Sequence, residues 1–122
     1  MAVMRYMVDD VGQAIAFYGT HFGFSVEPDL GPAFASLRRD DLTLWLAGPE
    51  SSAGRPMPDG VKPVAGGWNR LVVEVDDIGA TVRRLSDAGV EFRNEIVRGP
   101  GGAQILARDP AGNVIELFQP AS

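Results

Sequence analysis

Apolar positions alternate along this chain in short runs, and the runs come in two matching sets. Val3 to Val8 alternates as a strand does, placing Met4, Tyr6 and Val8 on one face and Val3, Arg5 and Met7 on the other. Asp9 or Asp10 then supplies an N-cap for a helix from Val11 to about Thr20, whose Ala14, Ile15, Phe17 and Tyr18 form an apolar face. His21-Phe22-Gly23-Phe24 turns the chain into a strand near Phe24 to Glu27, which Gly31-Pro32 breaks. Phe34 to Arg38 and Leu42 to Leu46 follow as strands around a turn at Arg39-Asp40-Asp41. Beyond a stretch from Gly48 to Gly67 that is rich in Gly, Pro and Ser and has no periodicity, the plan returns. The second set predicts strand Arg70 to Val75, cap Asp76/Asp77, helix Ile78 to Ala88 and strands Glu91 to Val97, Ala103 to Arg108 and Val114 to Gln119. The last two are joined by turn chemistry at Asp109-Pro110-Ala111-Gly112-Asn113.

Val8-Asp9-Asp10 with Gly12 and Val75-Asp76-Asp77 with Gly79 stand 67 positions apart. Two copies of one unit imply that neither buries its apolar face alone. The expected fold is therefore α+β: two tandem βαβββ modules forming a curved mixed sheet, with helices on the convex side and a concave cleft where the two halves meet. We expect one domain over 1–122, with module one at 1–49, a linker at 50–67 and module two at 68–122. A connection of that length inside a compact domain tends to be a functional or partly mobile loop.

Composition narrows the function classes. With 122 residues, 45% hydrophobic and 22% charged, the chain holds enough apolar material for a single core. Its lack of cysteine excludes disulfides, thiolate metal sites and a cysteine nucleophile, and fits a reducing compartment. No apolar run reaches transmembrane length, and Met1 leads directly into strand pattern, so a cytoplasmic protein without membrane contact is expected. The net charge of −5 and pI near 4.7 argue against a nucleic-acid partner. That same charge suits a cationic ligand.

Strand alternation then sorts the chemistry. Leu71, Val73, Ile115, Leu117, Leu42, Leu44 and Leu46 share wholly apolar faces that must pack on the helices. The opposite faces mix Arg5, Arg70, Glu74 and Glu116 with Met7, Trp45, Val72 and Phe118, where an ordinary wet surface would carry scattered Lys, Glu, Thr and Ser. An apolar surface with a few convergent polar groups is what a small-molecule site looks like. Trp68 and Asn69, at the end of the linker, either close over such a site or pack beside it.

The run Val-Asp-Asp, helix, Phe17-Tyr18, then Phe22-Gly23-Phe24, and later Arg108-Asp109-Pro110-Ala111-Gly112-Asn113 followed by Glu116, resembles the vicinal oxygen chelate superfamily. That group includes glyoxalase I, extradiol dioxygenases, fosfomycin-modifying enzymes and bleomycin-resistance proteins. The resemblance covers nearly the whole chain. It implies four places for divalent-metal ligands, which fall here on Val3, Trp45, Arg70 and Glu116. Only Glu116 could bind a metal, and Arg70 puts a fixed positive charge where the ion would sit. What remains is most similar to the metal-free bleomycin-resistance branch, also through Arg39-Asp40-Asp41-Leu42-Thr43-Leu44, and this implies no cofactor, no metal and a homodimer.

Several readings stay open on the sequence. Glu116 with Arg70 is either a structural ion pair in place of the ion or a catalytic pair; Trp45 is either a platform for an aromatic or cationic ligand or a filler of the metal's space. His21 reads as a turn residue rather than a base, Gly99-Pro100-Gly101-Gly102 as a strand connection, and Arg83-Arg84 as a solvated helix face. The leading functional expectation is a metal-independent small-molecule binder of the sequestering or antibiotic-resistance type. In it Arg5, Met7, Trp45, Trp68, Val72, Glu74 and Phe118 bind ligand beside Arg70 and Glu116. A metal-independent lyase, isomerase or cyclase would instead use Glu116 as general base and Arg70 as oxyanion stabiliser. A metal-dependent glyoxalase- or dioxygenase-like enzyme is the third reading.

Overall fold

Both modules begin the same way, because the same residues close the same hydrogen bonds. The computed structural model describes residues 2–27 and 32–122, so the predicted break at Gly31 lies outside the described residues. Strand β1 (Ala2–Met7) runs into helix α1 (Val11–Phe22), and β5 (Leu71–Glu74) into α2 (Ile78–Asp87). Asp10 accepts the Gln13 N–H at 2.9 Å and Asp77 accepts the Ala80 N–H at 3.0 Å, each satisfying a helix donor that has no partner within the helix. Gln119 gives α2 a further cap by accepting the Ile78 N–H at 2.8 Å. Helix α1 runs two residues past Thr20 and ends at Gly23, whose φ of 69° is the left-handed value that glycine adopts without strain.

The remaining strands complete two four-stranded mixed sheets. In the first, β2 (Ser25–Val26), β3 (Phe34–Arg39) and β4 (Leu42–Ala47) join β1 in the order β1-β4-β3-β2. In the second, β6 (Val97–Gly99), β7 (Gly102–Arg108) and β8 (Val114–Pro120) join β5 in the order β5-β8-β7-β6. Each first strand pairs in parallel with the last strand of its own module, Arg5 opposite Trp45 and Val72 opposite Glu116. The backbone bonds that follow are equivalent too: Val8 N–H donates to the Ala47 carbonyl at 3.0 Å and Val75 N–H to the Phe118 carbonyl at 2.9 Å. The internal repeat read from the sequence is thus a repeat of hydrogen-bond register. The α+β class and the two βαβββ modules are as expected.

One predicted element differs. Glu91 to Val97 does not form a continuous strand: Phe92 makes an isolated bridge to Ala107, and regular pairing with β7 starts only at Val97. The residues between are anchored to β7 by individual bonds instead. Arg93 N–H donates to the Leu106 carbonyl at 2.8 Å, and Asn94 Oδ1 accepts the Leu106 N–H at 3.0 Å.

The chain forms two compact units, Met1–Gly66 with Pro110–Asn113, and Gly67–Asp109 with Val114–Ser122. In the first, α1 lies on β2, β3 and β4, and buries Val11, Ala14, Tyr18 and Phe22 against Tyr6, Leu37, Leu44 and Leu46. In the second, α2 packs on β8 and buries Ile78 and Leu85 with Leu71, Val73, Ile115 and Leu117. The apolar faces assigned from alternation are the cores, except at Leu42, which is half-buried. The linker carries a short 3-10 turn (Ser52–Gly54), and Ser51 Oγ donates to the Gly48 carbonyl at 2.7 Å. It is held to the first unit at its end as well. Asn113 accepts the Gly66 N–H at 2.9 Å and donates through Nδ2 to the Met7 carbonyl at 2.8 Å, which explains why the turn Pro110–Asn113 belongs with that unit.

Candidate functional site

On the first sheet, the face turned away from α1 carries a row of four chemically different side chains. Parallel pairing sets Arg5 beside Trp45, and the β3–β4 hairpin sets Trp45 beside Ser36. The Arg5 guanidinium carbon lies over the indole, 5.0 Å from its centroid, while Phe34 meets Trp45 edge-on at 5.8 Å and 68°. Ser36 Oγ donates to Glu27 Oε1 at 3.2 Å and so ends the row on a carboxylate. This is not an ordinary wet face. Ser36, Thr43 and Ala47 are buried, although Val3 and Arg5 on the edge strand are exposed. Met7 is half-buried on the same face.

On the second sheet, the corresponding face is organised by an ion pair. Arg70 Nε and Nη2 both donate to Glu116 Oε1, at 3.0 and 2.9 Å, and Arg70 Nη1 donates to the Trp68 carbonyl at 3.2 Å. Glu116 stands in register between Val72 and Leu106, so apolar neighbours flank the carboxylate on both sides. Its side chain is 12% exposed and that of Arg70 29%, a pair sunk in the surface but open to water on the arginine side. Among the described residues Oε2 receives no hydrogen bond. The next row joins Glu74, Phe118 and Gln104. Trp68 is exposed, and Arg93 lies over its ring at 4.1 Å.

Strand register accordingly brings together Arg5, Met7 and Trp45 in one unit, and Arg70, Val72, Glu74, Glu116 and Phe118 with Trp68 in the other. The reading from residue pattern missed Phe34 and the Ser36–Glu27 pair, although a two-residue turn at Asp40-Asp41 places both beside Trp45 once the hairpin register is drawn. Arg93 had no such signal, since it lies in an irregular segment. His21 is in the last turn of α1 with its ring edge-on to Phe17 at 5.1 Å. Arg83 and Arg84 are exposed on α2.

The four positions expected to correspond to metal ligands do not suit a divalent ion. Val3 has no donor atom, Trp45 lies under a guanidinium, and the one carboxylate, Glu116, is already bonded to the cationic Arg70. Among the described residues no group of three or more His, Cys, Asp or Glu is placed to hold a metal. A hollow of about 500 Å³ in the first unit, at the start of α1, is lined by Asp9, Asp10 and Glu50 among others. It holds none of the expected site residues, and Asp10 is already engaged as the helix cap. No helix among the described residues is long and apolar enough to cross a membrane.

Comparison with solved structures finds the same architecture in proteins of several activities. A lactoylglutathione lyase from Agrobacterium tumefaciens is 22% identical, with 98% of this chain and 92% of that one covered at a TM-score of 0.77. TnmS3, an antibiotic binding protein from Streptomyces sp. CB03234, is 27% identical over 98% of this chain and 93% of its own, with a TM-score of 0.73. The fosfomycin resistance protein FosX from Listeria monocytogenes is 16% identical over 99% and 93%, with a TM-score of 0.74. No curated protein sequence matches. A family model covers residues 1–117, nearly both modules in full, and with the repeated βαβββ register it places the chain in the Glyoxalase/Bleomycin resistance protein/Dioxygenase superfamily.

Proposed function

We propose that this chain is a metal-independent small-molecule binding protein that sequesters its ligand, acting as a cytoplasmic homodimer. The observation that carries this reading is the contact of Arg70 with Glu116. A guanidinium bonded to the one carboxylate among the four ligand positions supplies the positive charge that an ion would otherwise bring, and it repels a second cation. Around that pair, Val72, Phe118 and Trp68 offer apolar surface, while Glu74 and Glu116 Oε2, which receives no hydrogen bond among the described residues, offer acceptors. Met7 and Trp45 with Arg5 supply the equivalent face of module one. Few polar groups set in apolar surroundings orient a ligand without reacting with it. The likeness to TnmS3, an antibiotic binding protein, supports a role of the same kind.

A second reading rests on one atom. With both Arg70 donors on Oε1, Glu116 Oε2 is open to accept a proton, so the pair could serve a lyase, isomerase or cyclase as base and oxyanion stabiliser. Turnover separates the two readings. Small molecules that copurify with the protein are released by denaturation, identified by mass spectrometry, and incubated with fresh protein. A binder returns the compound unchanged after many equivalents have been offered; stoichiometric excess of a new product would establish the enzyme and remove the sequestering role.

A further inference from the structure

The Trp45 ring already holds a cation, and the cation is the protein's own. Aromatic rings attract positive charge to their faces, so a half-buried tryptophan in an acidic protein invites a cationic ligand. Here that place is taken by Arg5, the fourth residue of the edge strand β1, aligned by backbone register. A ligand cation would have to displace a covalently anchored competitor and approach its charge. We propose that this face instead recognises a planar aromatic anion, a ring bearing a carboxylate or a similar oxyanion. The proposal rests on the small-molecule reading above and specifies the chemistry of its ligand.

Three features support the anion. First, the planar guanidinium carries five N–H donors in its plane, and a contact through its carbon over the ring takes up none of them by hydrogen bonding, so they remain as a fork for two oxygens. Second, that fork is uncommitted: among the described residues Arg5 makes no ion pair, its guanidinium meeting only the Trp45 ring. The carboxylate on its own row, Glu27, is engaged by Ser36 and stands three strand spacings away, roughly 14 Å at about 4.8 Å per strand. At that distance physiological salt screens most of its influence. Third, Phe34 set edge-on to Trp45 gives a ligand ring a second aromatic neighbour on the indole. The net charge of −5 acts in the opposite sense, drawing cations at long range. A preference for an anion must therefore come from a local group.

The test uses three probes of one shape: 2-naphthoate, 2-naphthalenemethanol and 2-naphthylmethylammonium, titrated at pH 7 and fixed salt into the full chain by calorimetry. Naphthoate is expected to bind about tenfold more tightly than the ammonium probe, the size of effect a charge-assisted fork supplies. Arg5→Met should abolish that preference, while Arg84→Met, which removes the same charge from an exposed helix face, should preserve it. Because Arg5 is exposed, Arg5→Met is expected to fold, and circular dichroism verifies this. Equal or tighter binding of the ammonium probe, or a naphthoate preference that survives Arg5→Met, overturns the anionic assignment and leaves the small-molecule reading standing. Absence of binding by all three probes overturns both.

Discussion

Replacing Arg70 with Met removes two donors from one oxygen and leaves the Glu116 carboxylate between Val72 and Leu106 with no donor among the described residues. A charged acceptor stripped of its partner is destabilised by about 1–3 kcal/mol, and a fully buried pair by more. The Arg70 side chain is 29% exposed, so water reaches the site and the expected loss is at the lower figure, about 1–3 kcal/mol. Glu116→Gln should cost less. In that variant Arg70 keeps its bond to the Trp68 carbonyl and its access to water, and Gln still offers an acceptor. The double variant Arg70→Met with Glu116→Gln should recover part of the loss, giving a coupling energy of roughly 0.5–3 kcal/mol. Urea unfolding followed by circular dichroism measures all four proteins. With a slope of about 1–3 kcal/mol per molar, the Arg70→Met midpoint should fall by roughly 1 M. Additive effects would refute the reasoning, because they would mean the two residues do not interact in solution and that Arg70 does not substitute for an ion.

Four further outcomes are expected. Elemental analysis of purified protein should find no stoichiometric divalent metal, and chelators should leave the unfolding midpoint unmoved; about one Ni, Zn, Fe or Mn per chain would contradict the assignment of Arg70. Sedimentation at micromolar concentration should show a homodimer, since the edge strands β2 and β6 expose Val26 and Val97, at 51% and 50%, and unpaired edges of this kind invite a two-fold partner; a monomer there would count against it. Asp10→Ala and Asp77→Ala should each lower stability by about 1 kcal/mol, with the second milder because Gln119 still caps α2; thermal denaturation of both variants checks the order. Gly102→Ala should be worse than either, roughly 2–4 kcal/mol by the same assay, because φ is +144° and an added Cβ would collide with the Gln119 carbonyl oxygen.

Local chemistry made the fold legible in the sequence. Alternation assigned Tyr6, Leu44, Val73 and Leu117 to the core, all of them buried, and the two Asp-Asp pairs marked both helix starts. These signals are short-range: a strand's faces depend on a period of two, and a cap reaches three residues. The segment Glu91 to Val97 misled because only Phe92 pairs with β7 before Val97 while Arg93 and Asn94 bond to Leu106, and periodicity cannot distinguish an anchored loop from a paired strand.

By itself, then, the sequence determined which residues could share a face and where each module started. It placed Arg70 and Glu116 as candidates for one another across 46 positions, but whether two side chains meet depends on how parallel strands slide past each other. Only the tertiary structure decided that both Arg70 donors converge on Oε1, leaving Oε2 open. It alone put Arg5 over Trp45 and Arg93 over Trp68, since a stack requires a side-chain rotamer and a register that no residue encodes on its own. Those contacts determine which charges remain available to a ligand. A list of residue types is silent on that, because a charge is available only when its neighbours leave it so.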